Sequence, residues 1–190
     1  MSFEPNPVTY RALRRNVREN GYEDRVVALP LGVAAWSGRG TFYVGADAGK
    51  SGLFVPGRWR ETTRTRTLSL DSSVAGRSID VIKLDVDGGE VDALRGMRRT
   101  LELSPRVRLF VECNPSSLEN AGTTLGALLD ELLDLGFEVQ VIDEGRRALE
   151  PAGGWLSQIA ERVYLRCEMT RNGRRFSELR RAAGRGSRAR

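Results

Sequence analysis

Two acidic side chains follow an apolar run in the middle of the sequence. Residues 79–84 are mostly apolar, Asp85 and Asp87 come next, and two glycines precede Glu90. The run predicts a buried strand and the pattern after the glycines predicts a helix, which places Asp85 at the carboxyl edge of a sheet, where open α/β folds bind ligands. Lys83 in the same strand is a candidate partner for Asp85, because a buried carboxylate without a partner is costly.

Two other acids stand at predicted junctions between a strand and a helix. Glu4 precedes a helix, where a carboxylate accepts both hydroxyl protons of a ribose or simply complements the positive end of the helix. Glu90 lies in the first turn of its predicted helix, and the sequence favours its capping role and a functional role about equally.

Glu112 ends the next predicted strand, which follows the helix that begins at Glu90, and Asn114 comes two residues later. Because neighbouring parallel strands end at the same sheet edge, we expect the Glu112 carboxylate to lie near Asp85. Their oxygens suit a hard cation such as Mg²⁺. Hydrogen bonding within the site is the preferred interpretation, so we predict no metal.

The composition narrows the chemistry that these residues perform. Histidine is absent from the 190 residues, so acid–base chemistry falls to carboxylates, Lys, Tyr or Cys. No run approaches the roughly 20 apolar residues of a membrane helix, and no secretory signal is visible. Cys113 and Cys167 lack metal-type spacing, which favours two buried free thiols in a reducing cytoplasm.

The positive charge is concentrated at the end of the chain. Eight Arg and one Glu follow residue 170, whereas the whole chain carries +5. Residues 169–190 are therefore predicted to form a basic, disordered tail after a domain of residues 1–168. We expect neither nucleic acid nor membrane as a partner, and the oligomeric state is left open.

Periodicity and turn residues predict alternating strands and helices, hence an α/β fold with a mainly parallel sheet covered on both faces. Helices are predicted over residues 5–20, 90–103 and 124–135, with Gly21 and Gly136 as stops and Thr123 or Thr124 as a cap. Strands are predicted over residues 25–31, 40–44, 63–70, 80–85, 107–112, 137–142 and 162–166. An exposed glycine-rich loop, residues 45–60, is expected to help select a substrate.

The order of these segments resembles the FkbM-type family of S-adenosylmethionine-dependent methyltransferases. The matching segments are Phe3-Glu4-Pro5, Asn16 and Asn20, Leu31-Gly32, Thr67-Leu68-Ser69-Leu70-Asp71, Lys83-Leu84-Asp85-Val86-Asp87-Gly88-Gly89-Glu90, Leu94-Arg95-Gly96 and Glu112. Each segment alone is unspecific, and their order and spacing carry the resemblance. One departure is Asp87, which stands where the family usually has Glu.

The resemblance implies a Rossmann-like class I methyltransferase fold with a mostly parallel sheet and S-adenosylmethionine as cofactor. The implied activity is O-methylation of a small-molecule acceptor, a sugar or secondary metabolite. The base that takes the acceptor proton is expected to be Asp85, then Glu112, then Glu90. The implied cofactor-binding residues are Phe3, Glu4, Pro5, Leu31, Gly32 and Asp85, with Glu4 on the ribose and Leu31 and Gly32 beside the adenine.

The family's first strand and its glycine-rich turn should precede Phe3, and the sequence starts at Met1. We therefore expect a domain that lacks this strand and turn, and that binds the cofactor weakly or not at all. Two alternatives stay open. One is a non-catalytic binding module of degenerate methyltransferase fold, and the other is a nucleotide- or sugar-modifying Rossmann enzyme of another type.

Overall fold

A computed structural model describes residues 1–45, 51–54, 58–152 and 162–170. The strands are β1 (Ser2–Phe3), β2 (Ala28–Leu29), β3 (Leu31–Val33), β4 (Gly38–Gly45), β5 (Ser51–Gly52), β6 (Trp59–Leu68), β7 (Val81–Leu84), β8 (Arg108–Cys113), β9 (Phe137–Asp143), β10 (Ala148–Pro151) and β11 (Val163–Met169). The helices are α1 (Pro7–Glu19), α2 (Leu70–Ser73), α3 (Glu90–Arg95), α4 (Arg98–Glu102), α5 (Pro115–Asn120) and α6 (Leu125–Asp134). The predicted basic tail from residue 171 onward lies outside the described residues.

The α/β class is confirmed, but the mainly parallel sheet is wrong. The largest sheet in the described ranges has the order β10-β9-β11-β8-β7. Only β7 and β8 pair in parallel; β11 enters between β8 and β9 and runs antiparallel to both, and β10 returns antiparallel along β9. The sheet is mixed because the last two strands come back along their neighbours and not through a helical crossover.

Strand β7 is less buried than its apolar sequence suggests. Within the part of the chain that the structure describes, it pairs with β8 alone and so forms an edge of the five-stranded sheet. Val81 is 56% exposed and only Leu84 is buried. The prediction of a buried strand is therefore wrong for its first residues, because periodicity does not encode the order of strands in a sheet.

The predicted strand over residues 25–31 divides between two smaller sheets. Ser2 and Phe3 of β1 pair in parallel with Ala28 and Leu29 of β2. After Pro30 the chain enters β3, which pairs in parallel with β6 in a four-stranded sheet of order β3-β6-β4-β5. This division brings the end of β1, which carries Glu4, close to Leu31 and Gly32.

The cap of α6 and the glycines that end α1 and α6 are where the sequence predicts them, whereas the Asn6 cap of α1 was not predicted. Thr124 caps α6 by accepting a hydrogen bond from the backbone N–H of Ala127 at 3.1 Å, and Gly136 follows the helix with φ +87°. Asn6 caps α1, and Gly21 follows that helix with φ +67°. Glycine adopts this left-handed backbone at little cost, which explains both stops.

The predicted helix over residues 90–103 is divided into α3 and α4 around Gly96. Its apolar stripe is nevertheless confirmed, since Val91, Leu94, Met97 and Leu101 are all buried in the main core. A Cβ on Gly96 would lie 2.1 Å from the carbonyl oxygen of Ala34. The approach of this distant segment interrupts the helix, and only glycine fits there.

Helix α2 and the start of α4 are joined by the Asp71 carboxylate. The side chain accepts hydrogen bonds from the backbone N–H of Arg99 at 3.2 Å and of Thr100 at 2.7 Å, and from the Thr100 hydroxyl at 2.7 Å. Asp71 therefore caps a helix 28 residues further along the chain. None of the helices in the described ranges is long and apolar enough to cross a membrane.

Replacing Asp71 by Ala leaves these donors without their acceptor. We expect the free energy of unfolding to fall by about 1–3 kcal/mol, measured as a lower urea midpoint at unchanged m value. The matched control is Asp80→Ala, which removes an exposed aspartate. Its free energy of unfolding should stay within about 0.5 kcal/mol of that of the original protein. Equal effects of the two substitutions would contradict the capping role.

Candidate active site

Glu4 is held at the end of β1 by the start of α1. Its Oε1 accepts a hydrogen bond from the backbone N–H of Asn6 at 2.7 Å, and the Asn6 side chain in turn caps α1 at Val8. Burial raises the pKa of Glu4, the hydrogen bond from Asn6 lowers it, and the charge of Asp87 raises it, with a net rise above its ordinary value. The Glu4 carboxylate is thus held in place, and its pKa depends in part on the charge of Asp87.

The turn between β7 and α3 carries Asp85 and Asp87 and is tightly constrained. Asp87 has φ +49° and Gly88 has φ +98°. A Cβ on Gly88 would lie 2.3 Å from the carbonyl oxygen of Ser117, so the contact with α5 requires glycine as much as the dihedral angle does. Both carboxylates are therefore presented by backbone with little freedom.

Glu90 lies beneath this turn and holds its backbone. Its Oε1 accepts hydrogen bonds from the N–H groups of Val86 at 3.3 Å and Gly88 at 3.2 Å. The residue is 2% exposed, and its Oε2 is buried with no hydrogen-bond partner. Burial raises the pKa of Glu90, although the backbone donors lower it in part. The geometry favours the capping interpretation of Glu90 over a catalytic one.

A short strand that the sequence did not predict covers the turn from the other side. The backbone N–H of Ser51 in β5 donates to Asp87 Oδ2 at 3.2 Å, and Gly52 is buried against the Asp87 backbone. The prediction of an exposed loop over residues 45–60 is therefore wrong at Gly52. Residues 46–50 and 55–57 of that predicted loop lie outside the described part of the chain.

These elements enclose a cleft of about 140 Å³ between β1, β3, β5 and the turn after β7. All six residues predicted to bind the cofactor line it. The sequence missed the wall from β4 and β5, because nothing in their pattern indicates where those strands pack. The full lining is Phe3, Glu4, Pro5, Leu31, Gly32, Val33, Phe42, Ser51, Gly52, Leu53, Phe54, Asp85, Val86, Asp87 and Gly89.

Asp85 has Lys83 as its partner, as the sequence predicts. Lys83 Nζ lies 2.5 Å from Asp85 Oδ2. Burial raises the pKa of Asp85, but hydrogen bonds from Lys83 and Glu112 and the charges of Lys83 and Arg162 lower it more, so the pKa lies below its ordinary value. The hydrogen bond to Asp85 also raises the pKa of Lys83. Asp85 is therefore an ionised carboxylate that faces the cleft.

Glu112 lies beside Asp85, which confirms the expectation that these strands are neighbours. It is 5% exposed, and its Oε1 accepts from Arg162 Nη1 at 3.1 Å and from the Tyr164 hydroxyl at 3.3 Å. Burial, the hydrogen bond with Asp85 and the charge of Asp85 raise the pKa of Glu112, and Arg162 offsets only part of the rise. The sequence did not predict a role for Arg162 or Tyr164.

Asn114 does not join the two carboxylates. Its Oδ1 accepts a hydrogen bond from the Ser116 hydroxyl at 2.8 Å, at the start of α5. Among the residues that the structure describes, no group of three or more His, Cys, Asp or Glu side chains is arranged to hold a metal ion. Lys83 contacts Asp85, and Arg162 and Tyr164 donate hydrogen bonds to Glu112.

The chain matches the model of the methyltransferase FkbM domain over residues 1–139. It belongs to the FkbM methyltransferase family. A solved structure, a methyltransferase FkbM from Methylobacillus flagellatus KT, matches with a TM-score of 0.54 at 16% identity, which shows a shared fold. The match covers 87% of this chain and 35% of that one, so this FkbM-family chain spans about a third of that protein's length. No curated protein matches the chain.

Glu90→Gln tests the buried carboxyl beneath the turn. Because burial raises its pKa, the folded protein keeps a proton that the unfolded chain loses near pH 4.3. The contribution of Glu90 to stability is thus present below that pH and is lost as pH rises through the folded pKa. We expect the stability of the variant relative to the original to increase across this window, measured by urea unfolding at several pH values.

The control for this measurement is Glu61→Gln, which changes an exposed glutamate of β6. Its unfolding free energy, measured at the same pH values, gives the change caused by the same substitution at an exposed glutamate. An equal change for Glu90→Gln would contradict the raised pKa of Glu90.

Proposed function

We propose that this FkbM-family domain transfers a methyl group from S-adenosylmethionine to a hydroxyl oxygen of a small-molecule acceptor, a sugar or secondary metabolite. The observation that carries the proposal is the cleft in which Glu4 and Asp85 stand on opposing elements. One carboxylate suits a ribose and the other suits a reacting hydroxyl. A cytoplasmic location is part of the proposal, and the buried free thiols of Cys113 and Cys167 support it.

The lining of the cleft fits the adenosine part of this cofactor. Glu4 is fixed through Oε1, and its carboxylate offers acceptors for the two ribose hydroxyls. Leu31, Val33 and Phe42 supply apolar surface from β3 and β4, which suits a purine ring. Gly32 adds no side chain to this wall, and a Cβ there would lie 3.1 Å from the Leu53 side chain.

The bound cofactor supplies an electrophilic methyl group on a sulfonium, and the protein's own task is positioning and proton removal. Asp85 accepts the proton of the acceptor hydroxyl. S-adenosylmethionine, when bound, would supply the methyl group to the acceptor oxygen, and sulfur would keep the electrons of the broken S–C bond, so charge and atoms would balance. Lys83 keeps Asp85 ionised for this step. Glu90 contributes through the turn that presents Asp85.

Glu4→Gln tests the ribose contact. Gln keeps one acceptor but replaces a charged oxygen by an amide donor, which does not accept a hydroxyl proton. We expect the affinity for S-adenosylhomocysteine to fall at least about tenfold, measured by nuclear magnetic resonance titration, which follows millimolar as well as tighter binding. The matched control Glu23→Gln alters an exposed glutamate and should leave the affinity unchanged. Equal affinities for all three proteins would argue against Glu4 as the ribose ligand.

Asp85→Asn tests the base. Release of S-adenosylhomocysteine is measured with S-adenosylmethionine and a panel of sugars and hydroxylated metabolites. We expect Asp85→Asn to abolish turnover, since an amide accepts no proton at neutral pH, while cofactor binding is retained. Asp80→Asn is the control at an exposed position of the same segment. Turnover by Asp85→Asn at the original rate would refute the role of Asp85.

The size of the cleft favours a second candidate function, a non-catalytic binding module. Its volume of about 140 Å³ is smaller than the roughly 300–1,000 Å³ of typical ligand sites. The turnover assay distinguishes the two functions. A protein that binds S-adenosylhomocysteine through Glu4 but turns over no acceptor in the panel would support the module.

A further inference from the structure

A second cleft lies between α1 and the segment that leads into β2, and it shares no lining residue with the candidate active site. Its volume of about 620 Å³ lies within the roughly 300–1,000 Å³ of typical ligand sites. The Tyr10 hydroxyl donates a hydrogen bond to the Ala28 carbonyl oxygen at 3.3 Å, which joins the two walls. We call this space the arginine cleft, because α1 lines it with Arg11, Arg14, Arg15 and Arg18.

The helical spacing places three of these arginines in one row. Arg11, Arg14 and Arg18 stand at positions i, i+3 and i+7, which share a face of a helix. The opposite wall contributes the apolar side chains of Val26 and Val27, and one acidic residue among the described lining, Glu23. The cleft therefore combines a row of positive charge with an apolar wall.

The positive charge of this row is not balanced within the part of the chain that the structure describes. Arg11, Arg14 and Arg18 form no ion pair there, and Arg15 only approaches Glu19 at 4.0 Å, where both side chains are exposed. Like charges four residues apart, such as Arg14 and Arg18, destabilise a helix. An anion bound between them would reduce this repulsion.

The length of the row indicates what kind of anion fits. The seven-residue step from Arg11 to Arg18 spans about 10 Å along the helix axis, which is longer than a single phosphate. Guanidinium groups bind phosphate oxygens in pairs of parallel hydrogen bonds, so two linked phosphates engage more of the row than one does. The apolar side chains of Val26 and Val27 suit an organic group attached to those phosphates.

We propose that the arginine cleft binds an organic pyrophosphate, a small molecule whose two linked phosphates contact Arg11, Arg14 and Arg18. Its organic group lies against Val26 and Val27 on the opposite wall. The negative charge of Glu23 opposes the ligand and limits its affinity. No residue of the candidate active site takes part, so this binding site stands apart from the proposed methyl transfer.

The test titrates the full 190-residue chain with four probes at one fixed ionic strength: inorganic phosphate, inorganic pyrophosphate, geranyl diphosphate and uridine diphosphate. Nuclear magnetic resonance follows the backbone amide signals of Val26, Val27 and Ala28, so binding elsewhere on the chain is not counted. We expect pyrophosphate to bind at least about fivefold more tightly than phosphate, and one organic diphosphate to bind more tightly than pyrophosphate.

The two organic probes distinguish the source of the ligand. Tighter binding of geranyl diphosphate would assign the cleft to lipid pyrophosphates, and tighter binding of uridine diphosphate would assign it to nucleotides. Equal affinities for phosphate and pyrophosphate, or no gain from either organic group, would overturn the proposal. A single-stranded oligonucleotide that shifts these amide signals when the diphosphates do not would overturn it as well.

Arg14→Gln removes the central charge of the row, and we expect the affinity for pyrophosphate to fall at least about fivefold. Arg106→Gln is the matched control, because it removes the same charge from an exposed position outside the cleft. It should leave the affinity within about twofold of the original. Equal losses in the two variants would show a general attraction between the protein and anions, which would contradict a site at the row.

Glu23→Gln should have the opposite effect to Arg14→Gln, because it removes the negative charge from the opposite wall. We expect the affinity for pyrophosphate to rise about twofold or more, and an unchanged or lower affinity would contradict the placement of the ligand. These titrations use neither methyl donor nor acceptor. Failure of pyrophosphate binding therefore leaves the proposed methyl transfer intact, and absence of turnover leaves the arginine cleft intact.

Discussion

The hydrogen bonds from the Val86 and Gly88 N–H groups to Glu90 Oε1 are the interaction on which the site depends. They fix the turn that leaves β7, and that turn presents one carboxylate to the cleft and another to β5. They lie directly before α3, whose apolar face belongs to the main core. The Glu90 carboxyl therefore connects the turn that carries Asp85 and Asp87 to a helix of the main core. Its second oxygen is buried without a partner, so the arrangement carries a local cost, which neutralising Glu90 reduces.

The negative charge of Asp87 acts on the acidic side chains around it. Asp87 raises the pKa of Glu4 on one side and of Glu90 on the other, and its own carboxylate accepts from Ser51 in β5. A ligand that donates hydrogen bonds to Glu4 would reduce the repulsion between these acids. The charges around the cleft therefore favour hydrogen-bond donors at Glu4.

Capping residues, glycines and apolar spacing predicted the parts of the fold that depend on residues close together in the sequence. The Thr124 cap, the glycine stops and the apolar stripe of α3 and α4 all follow from spacing alone. The neighbourhood of Asp85 and Glu112 followed from the chain order of two parallel strands. The interruption at Gly96 did not, because the Ala34 carbonyl that causes it comes from a segment more than 60 residues earlier.

The sequence missed Arg162 and Tyr164 because of one feature, the antiparallel return of β11. Arg162 and Tyr164 reach Glu112 because β11 turns back between β8 and β9, and no residue in residues 162–169 signals that register. These two side chains also lie beyond residues 1–139, where the chain matches the family model. The two hydrogen bonds that hold Glu112 thus come from outside the matched segment, from Tyr164 of β11 and from Arg162 just before it. Glu112 lies inside that segment, so the matched residues alone do not contain the groups that orient this carboxylate.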